Sequence, residues 1–291
     1  MIAITGAAGK TGSAVIRALA VRGQPVRGLV RRPEQQAHIL AQGATEAVVG
    51  DLADPGILRV VIGGASAVYH ICPNMHPAEE AIGRAVIAAA QEAEIQHFVY
   101  HSVLHPQVEA MPHHWQKLRV EEHLFTSGLP YTILQPTAYM QNLVAGWRHL
   151  VQEGLLVNPY PPATRLSLVD LADVAEAAAT VLLQPGHAGA IYELVGTPPL
   201  SQHEVAAIIE QTIGRPVQAA RIEIEAWAQG ARQGGLAPYA VETLSRMFAY
   251  YAHYGLVGNP NVLRWLLGRE PTSLAQFCTR IAQEEARRKP S

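Results

Sequence analysis

Thiols are scarce in this chain: two cysteines, Cys72 and Cys278, stand among 291 residues. Two such distant residues make no disulfide framework and carry no metal-ligand spacing, which suits a reducing, cytoplasmic setting. Charge of one sign is missing too. Twenty-two Lys and Arg face 24 Asp and Glu, for a formal net charge of −2 and a pI near 6.7. That balance offers no electrostatic footprint for nucleic acid. No uninterrupted apolar run approaches the roughly 20 residues of a membrane helix. The first apolar run begins at Met1, so no signal peptide is expected. Internal repeats and low-complexity tracts are not evident. What the chain does have is apolar bulk, at 49% hydrophobic residues. Its length suits one large α/β domain, alone or with a smaller appendage.

The organising stretch is at the amino terminus. Met1-Ile2-Ala3-Ile4 is a short apolar run, and Thr5-Gly6-Ala7-Ala8-Gly9-Lys10-Thr11-Gly12 follows at once. Val15, Ile16, Leu19 and Ala20 then give an apolar stripe of helical period. Strand, glycine-rich turn and helix in that order build a phosphate cradle. Gly6 suits the tight turn, Gly9 lets a diphosphate approach the backbone, and Gly12 lets the helix pack on the strand. Ala8, Lys10 and Thr11 complete the candidate cradle.

Further strands are expected at 25–30, 46–49, 65–72, 97–102 and 131–135. Helices are expected around 34–42, from Asp54-Pro55, and at 77–93, 113–127 and 139–153. Such alternation predicts an α/β fold, a Rossmann-type doubly wound parallel sheet covered on both faces. Residues 1–157 form this NAD(P)-binding part, with 170–195 completing the sheet through a helix and a strand at 190–195. Asn158-Pro159-Tyr160-Pro161-Pro162 breaks the pattern. Residues 158–169 and 196–291 then read as a small carboxy-terminal α/β substrate region. It holds a short strand at 166–169, a strand near 217–224 and helices near 201–213, 239–254 and 273–288.

Ligands of such sheets sit at the carboxyl ends of the strands, which makes the strand-end residues the candidates. An NAD-binding sheet carries an acid at the end of its second strand; here stand Arg31 and Arg32. A guanidinium can grip a 2′-phosphate with a bidentate pair, so NADP(H) is expected over NAD(H). Arg32 is equally readable as a solvated surface residue. Asp51, with Leu52 behind it, either faces the adenine edge or caps its own loop. Ile71, Cys72 and Pro73 end the fourth strand beside the expected nicotinamide ribose.

Hydride chemistry needs a proton donor and a group that holds the ribose. Many enzymes of this type place Tyr and Lys four apart on one helix. This chain has Lys117, with His113 in the tyrosine's place. His113 either substitutes as donor, since imidazole titrates near neutrality, or is an inert imidazole. His101, His105 and His114 lie nearby without the spacing of a metal site. Ser102 offers a hydroxyl to a substrate oxygen or to neighbouring backbone.

Several of these stretches together resemble the NmrA-like group of atypical short-chain dehydrogenase/reductase proteins. They are Thr5–Gly12, Arg31-Arg32-Pro33, Gly50-Asp51-Leu52, Lys117 with Glu121-Glu122, and Gly128–Pro136. Tyr139–Leu143, Leu168–Ala175 and Leu267–Ser273 extend the resemblance over nearly the whole chain. It implies an NADP(H)-binding protein of one of two kinds. One is a reductase of quinones or related phenolic compounds; the other is a redox sensor that regulates partner proteins without turnover. The resemblance matches Lys117 to the reductases' lysine. It sets Pro136, Tyr139 and Asn142 beside the nicotinamide and the small-molecule substrate. A homodimer or a regulatory protein partner are both compatible with it.

Overall fold

The computed structural model describes residues 1–288. The chain forms two compact units, one of residues 1–135 and 174–192, the other of residues 136–173 and from 193 onward. The first alternates strands and helices: β1 (Ile2–Ile4), α1 (Lys10–Ala20), β2 (Val26–Val30), α2 (Gln35–Ala41), β3 (Glu46–Val49) and α3 (Pro55–Ile62). Then come β4 (Ala67–His70), α4 (Glu79–Glu92), β5 (His97–His101), α5 (Pro112–Phe125) and β6 (Tyr131–Pro136). The chain continues through β7 (Ala138–Tyr139), a 3-10 helix (Met140–Gly146), α6 (Trp147–Glu153), β8 (Leu155–Asn158), β9 (Arg165–Leu166) and β10 (Leu168–Val169). After α7 (Leu171–Leu183) and β11 (Ala190–Leu194) follow β12 (Leu200–Ser201), α8 (Gln202–Ile213) and β13 (Gln218–Arg221). Helices α9 (Ile224–Gln233), α10 (Pro238–Tyr254), α11 (Asn261–Leu267) and α12 (Leu274–Arg288) end the described chain.

The central sheet has seven strands in the order β11-β6-β5-β4-β1-β2-β3. Every pairing from β3 to β6 is parallel. The expected doubly wound α/β sheet is what the chain forms. Ala3, Val68, Phe98 and Tyr100 project from the strands into a core shared with Leu58, Val86, Val120 and Leu124 of α3, α4 and α5. These side chains are wholly or almost wholly excluded from water, and each contributes roughly 1.5–3 kcal/mol if it is a large apolar group. Local signals set the helix starts. The Asp54 carboxylate caps α3 by accepting from the Gly56 amide at 2.7 Å, with Pro55 at the first helical position. Ser201 and Glu204 form a reciprocal capping box at α8.

Three local expectations differ from the structure. The single helix expected over 139–153 is a strand end, a 3-10 turn and α6. Gln141 explains the tight turn: its amide donates to Asp170 at 2.7 Å and accepts the Leu171 N–H at 3.0 Å, so tertiary bonds override helical propensity. The strand expected over 166–169 changes partner at Ser167. β9 pairs antiparallel with β12, whereas β10 pairs parallel with β7. Strand β8 and helices α9 and α11 were not anticipated; α11, at seven residues, is too short to show a period.

Candidate cofactor and active site

β1 and β4 are neighbours, and the strand order runs outward from them in both directions. This is the topological switch point, where open α/β sheets bind ligands. Gly6 turns the chain after β1 with φ +59°, and a Cβ there would lie 2.8 Å from the Ile71 carbonyl oxygen. A side chain on Gly12 would collide with backbone atoms of Gly6 and Ala7. Gly9 differs from both. It is exposed and extended, and an added Cβ would meet only the Gly6 oxygen, at 3.3 Å. Gly9 also begins α1 with no side-chain cap and no acid in the first turn. The helix start, at the positive end of the dipole, is therefore exposed at Gly9 and Lys10 and carries no acid in its first turn. Ala8 is half-buried, and Thr11 is buried in the first turn. Thr5 braces the turn from beneath. Its hydroxyl lies 2.8 Å from His70 Nδ1, donates to the Ile71 carbonyl at 3.1 Å and accepts the Ile71 N–H at 3.0 Å.

At the end of β2 both arginines are exposed. The Gln35 side chain accepts both of their backbone N–H groups, at 3.1 and 3.0 Å, and so holds the turn. Arg32 pairs with Glu34 at 2.9 Å, whereas no partner engages the Arg31 guanidinium among the described residues. Asp51 accepts the Ala53 N–H at 2.9 Å, a turn-capping bond within its own loop, and Leu52 packs on the core. Ile71 is half-buried and Pro73 exposed. Cys72 is buried, and desolvation raises its thiol pKa far above the ordinary value, with Glu79 adding to the rise. It is a thiol, not a thiolate.

Lys117 does not stand alone. Its ammonium lies 2.5 Å from Glu79 Oε1 on α4, and the two side chains are 15% and 2% exposed. The Tyr100 hydroxyl donates to the same oxygen at 3.3 Å, and the ammonium sits 5.8 Å from the Tyr100 ring centre. His113 is buried edge-on against His114, ring centres 4.4 Å apart, and its Nδ1 has no partner among the described residues. Burial, with the charges of His114 and Lys117, lowers the His113 pKa to about 2. His113 is therefore uncharged throughout the physiological range. Ser102 is buried as well, and its hydroxyl donates to Glu121. The same carboxylate accepts from Gln135 Nε2 at 2.9 and 3.1 Å. Burial raises the Glu121 pKa against the lowering effect of the Ser102 and Gln135 hydrogen bonds. Ser102 thus binds a side chain rather than the local backbone.

Pro136 closes β6 and is buried; Tyr139 is half-buried in β7, and Asn142 is exposed in the 3-10 turn. All three belong to the second unit. Among the described residues no group of three or more His, Cys, Asp or Glu could hold a metal ion, and no helix is long and apolar enough to cross a membrane.

A family model, that of the NmrA-like family, matches residues 1–282. The chain belongs to the NmrA-like family. This NmrA-like chain is 29% identical to the NAD(P)H azoreductase of Xenophilus azovorans over 282 residues, covering 95% of this chain and 96% of that one. Its fold superposes with a TM-score of 0.85 on the NADPH-dependent quinone oxidoreductase of Escherichia coli in complex with NADPH. That pair is 26% identical over 97% of this chain and all of the other. The Citrobacter triphenylmethane reductase complexed with NADP(H) also gives a TM-score of 0.85, at 25% identity over 97% and 100% of the two chains.

The NmrA-like motifs of the second unit converge on two carboxylates with no exposed surface, Asp170 and Asp173. Asp173 accepts from Arg269 at 2.7 Å, from the Thr272 N–H at 2.6 Å and from the Thr272 hydroxyl at 3.0 Å. Asp170 takes Gln141 and, at 2.5 Å, Arg280. Sequence reasoning saw these as separate matches. It also missed Glu79, His70 and Gln35. The one available signal was the Glu79-Glu80 pair at a helix start, which does not say which acid turns inward.

Proposed function

We propose that this NmrA-like chain is an NADPH-dependent oxidoreductase whose acceptor is a quinone or a similar planar carbonyl compound. One observation carries the reading: the exposed, acid-free start of α1 at the switch point, with Gly9 leaving room for a diphosphate. The NADPH and NADP(H) held by the two reductases of the same fold support it. The bound nicotinamide supplies a hydride.

The chain's own residues do the rest. The backbone of Gly6–Gly12 receives the diphosphate. Arg31, exposed and without a partner among the described residues, grips the 2′-phosphate and favours NADPH over NADH. Arg32, tied to Glu34, contributes less. Ile71, Cys72 and Pro73 border the nicotinamide ribose. Glu79 uses one of the three Lys117 ammonium hydrogens, so the others hold ribose hydroxyls and polarise the acceptor oxygen. Uncharged His113 is no proton source at working pH, and water delivers the proton that completes the reduction.

The test is NADPH oxidation followed by absorbance across a panel of quinones. Turnover is expected with at least one of them, and Lys117→Ala should lower kcat by about tenfold or more. Tight NADPH binding without oxidation by any acceptor would overturn the reductase reading and leave a dinucleotide sensor with a protein partner in its place. Parallel titrations with NADPH and NADH test the preference for the phosphorylated cofactor.

A further inference from the structure

We infer that Glu79 is a positioning residue: its buried carboxylate holds the Lys117 ammonium where the dinucleotide needs it. The inference rests on the reading of Lys117 just given. Glu79 and Glu80 open α4 side by side, yet they part company. Glu80 faces His123 at 3.0 Å and Arg119 at 3.9 Å on a partly exposed surface. Glu79 turns inward, at the positive end of the helix dipole, where a carboxylate is favoured.

Packing between α4 and α5 aims it. The two helices approach so closely at Gly83 that a Cβ there would lie 2.5 Å from Val120 Cγ2. Gly83 is one turn after Glu79, and Val120 is one turn after Lys117. The close approach therefore sets acid and base against each other. Tyr100, from β5, fixes the accepting oxygen by its hydroxyl and sits beneath the cation.

Stability does not account for such a pair. Desolvating two charges costs about as much as their attraction returns, and apolar replacements are often neutral or better. What the pair does achieve is geometric. A lysine stem of four carbons samples many rotamers, and a carboxylate that takes one ammonium hydrogen leaves two in defined directions. No other acceptor engages Lys117 Nζ among the described residues.

The experiment is a double-mutant cycle on the full chain. Glu79→Gln preserves volume and the Tyr100 contact but removes the negative charge. It should weaken NADPH binding and lower kcat, each by about tenfold, and add no further loss in a Lys117→Met background. The Arg31→Ala penalty on NADPH binding, at the far end of the dinucleotide, should add to that of Glu79→Gln. A Glu79→Gln protein that melts lower but binds and turns over normally overturns the proposal. So does a penalty that adds in full to Lys117→Met. If Glu79→Gln does not fold, Tyr100→Phe replaces it in the same cycle, with a loss of about threefold that should vanish beside Lys117→Met. A wild-type protein that binds NADPH but oxidises none of it refutes the reductase reading alone, and the binding arm still decides on Glu79.

Discussion

Acidification to about pH 5.5 should cost the first unit much of its stability, because it buries four uncharged imidazoles. His70 and His101 are held at a pKa of about 3, His113 at about 2 and His114 at about 4, in each case first by desolvation and with Lys117 adding to it. Each native value lies below the roughly 6.5 of an unfolded histidine. The stabilisation is therefore complete above that unfolded value and is lost as the pH falls toward the native ones. Between about pH 7 and pH 5.5 the unfolded chain takes up about two-thirds of a proton per imidazole and the native chain almost none. Linkage then gives about 1.2 kcal/mol for each histidine and about 5 kcal/mol for the four. Glu121 acts with the opposite sign, since its raised pKa makes the native state gain protons as the pH falls, but it is one group against four. A loss of about 5 kcal/mol rivals the whole stability of many domains, about 5–15 kcal/mol. Guanidinium unfolding followed by circular dichroism at the two pH values measures it, and His113→Asn should shrink the difference by about 1.2 kcal/mol. A loss below about 1 kcal/mol would mean that the imidazoles already carry protons in the native state, which would refute the reasoning.

Other substitutions separate fold from ligand. Gly12→Ala drives a methyl group into the backbone of Gly6 and Ala7 and should lower both the melting temperature and NADPH affinity. Gly9→Ala meets only one protein atom, at 3.3 Å, so it should melt close to wild type while weakening NADPH binding by about tenfold or more. Arg31→Ala should weaken NADPH by about tenfold and leave NADH unchanged, with a smaller effect from Arg32→Ala; isothermal titration with both nucleotides reads the difference. Asp173→Ala strips the Thr272 amide of its acceptor and breaks the Arg269 pair. The expected cost is about 2–4 kcal/mol, tempered by the partial exposure of Arg269, and denaturant titration would measure it.

How much of this was legible in the chain depends on the range of the forces involved. The strand–turn–helix of Ile4, Gly6 and Gly12 can be read directly, because steric and periodic rules act over a few residues. The Asp54-Pro55 helix start and the alternation of strands and helices yield to the same rules. The turn that carries Arg31 at the end of β2 was legible in the same way, as the strand's end. Gln141 could not be read in this way, since its short-range helical preference lost to bonds with Asp170 and Leu171. Nor could His113, whose ordinary titration is a property of water that burial removes.

The local order of apolar runs, glycines and caps thus determined the class of sheet and the place of the cradle. Folding alone decided which of two adjacent glutamates faces inward, that Lys117 is held by Glu79, and that motifs nearly a hundred residues apart share the carboxylate of Asp173. Those outcomes depend on which helix faces pack together, and no spacing along the backbone encodes a distance through space.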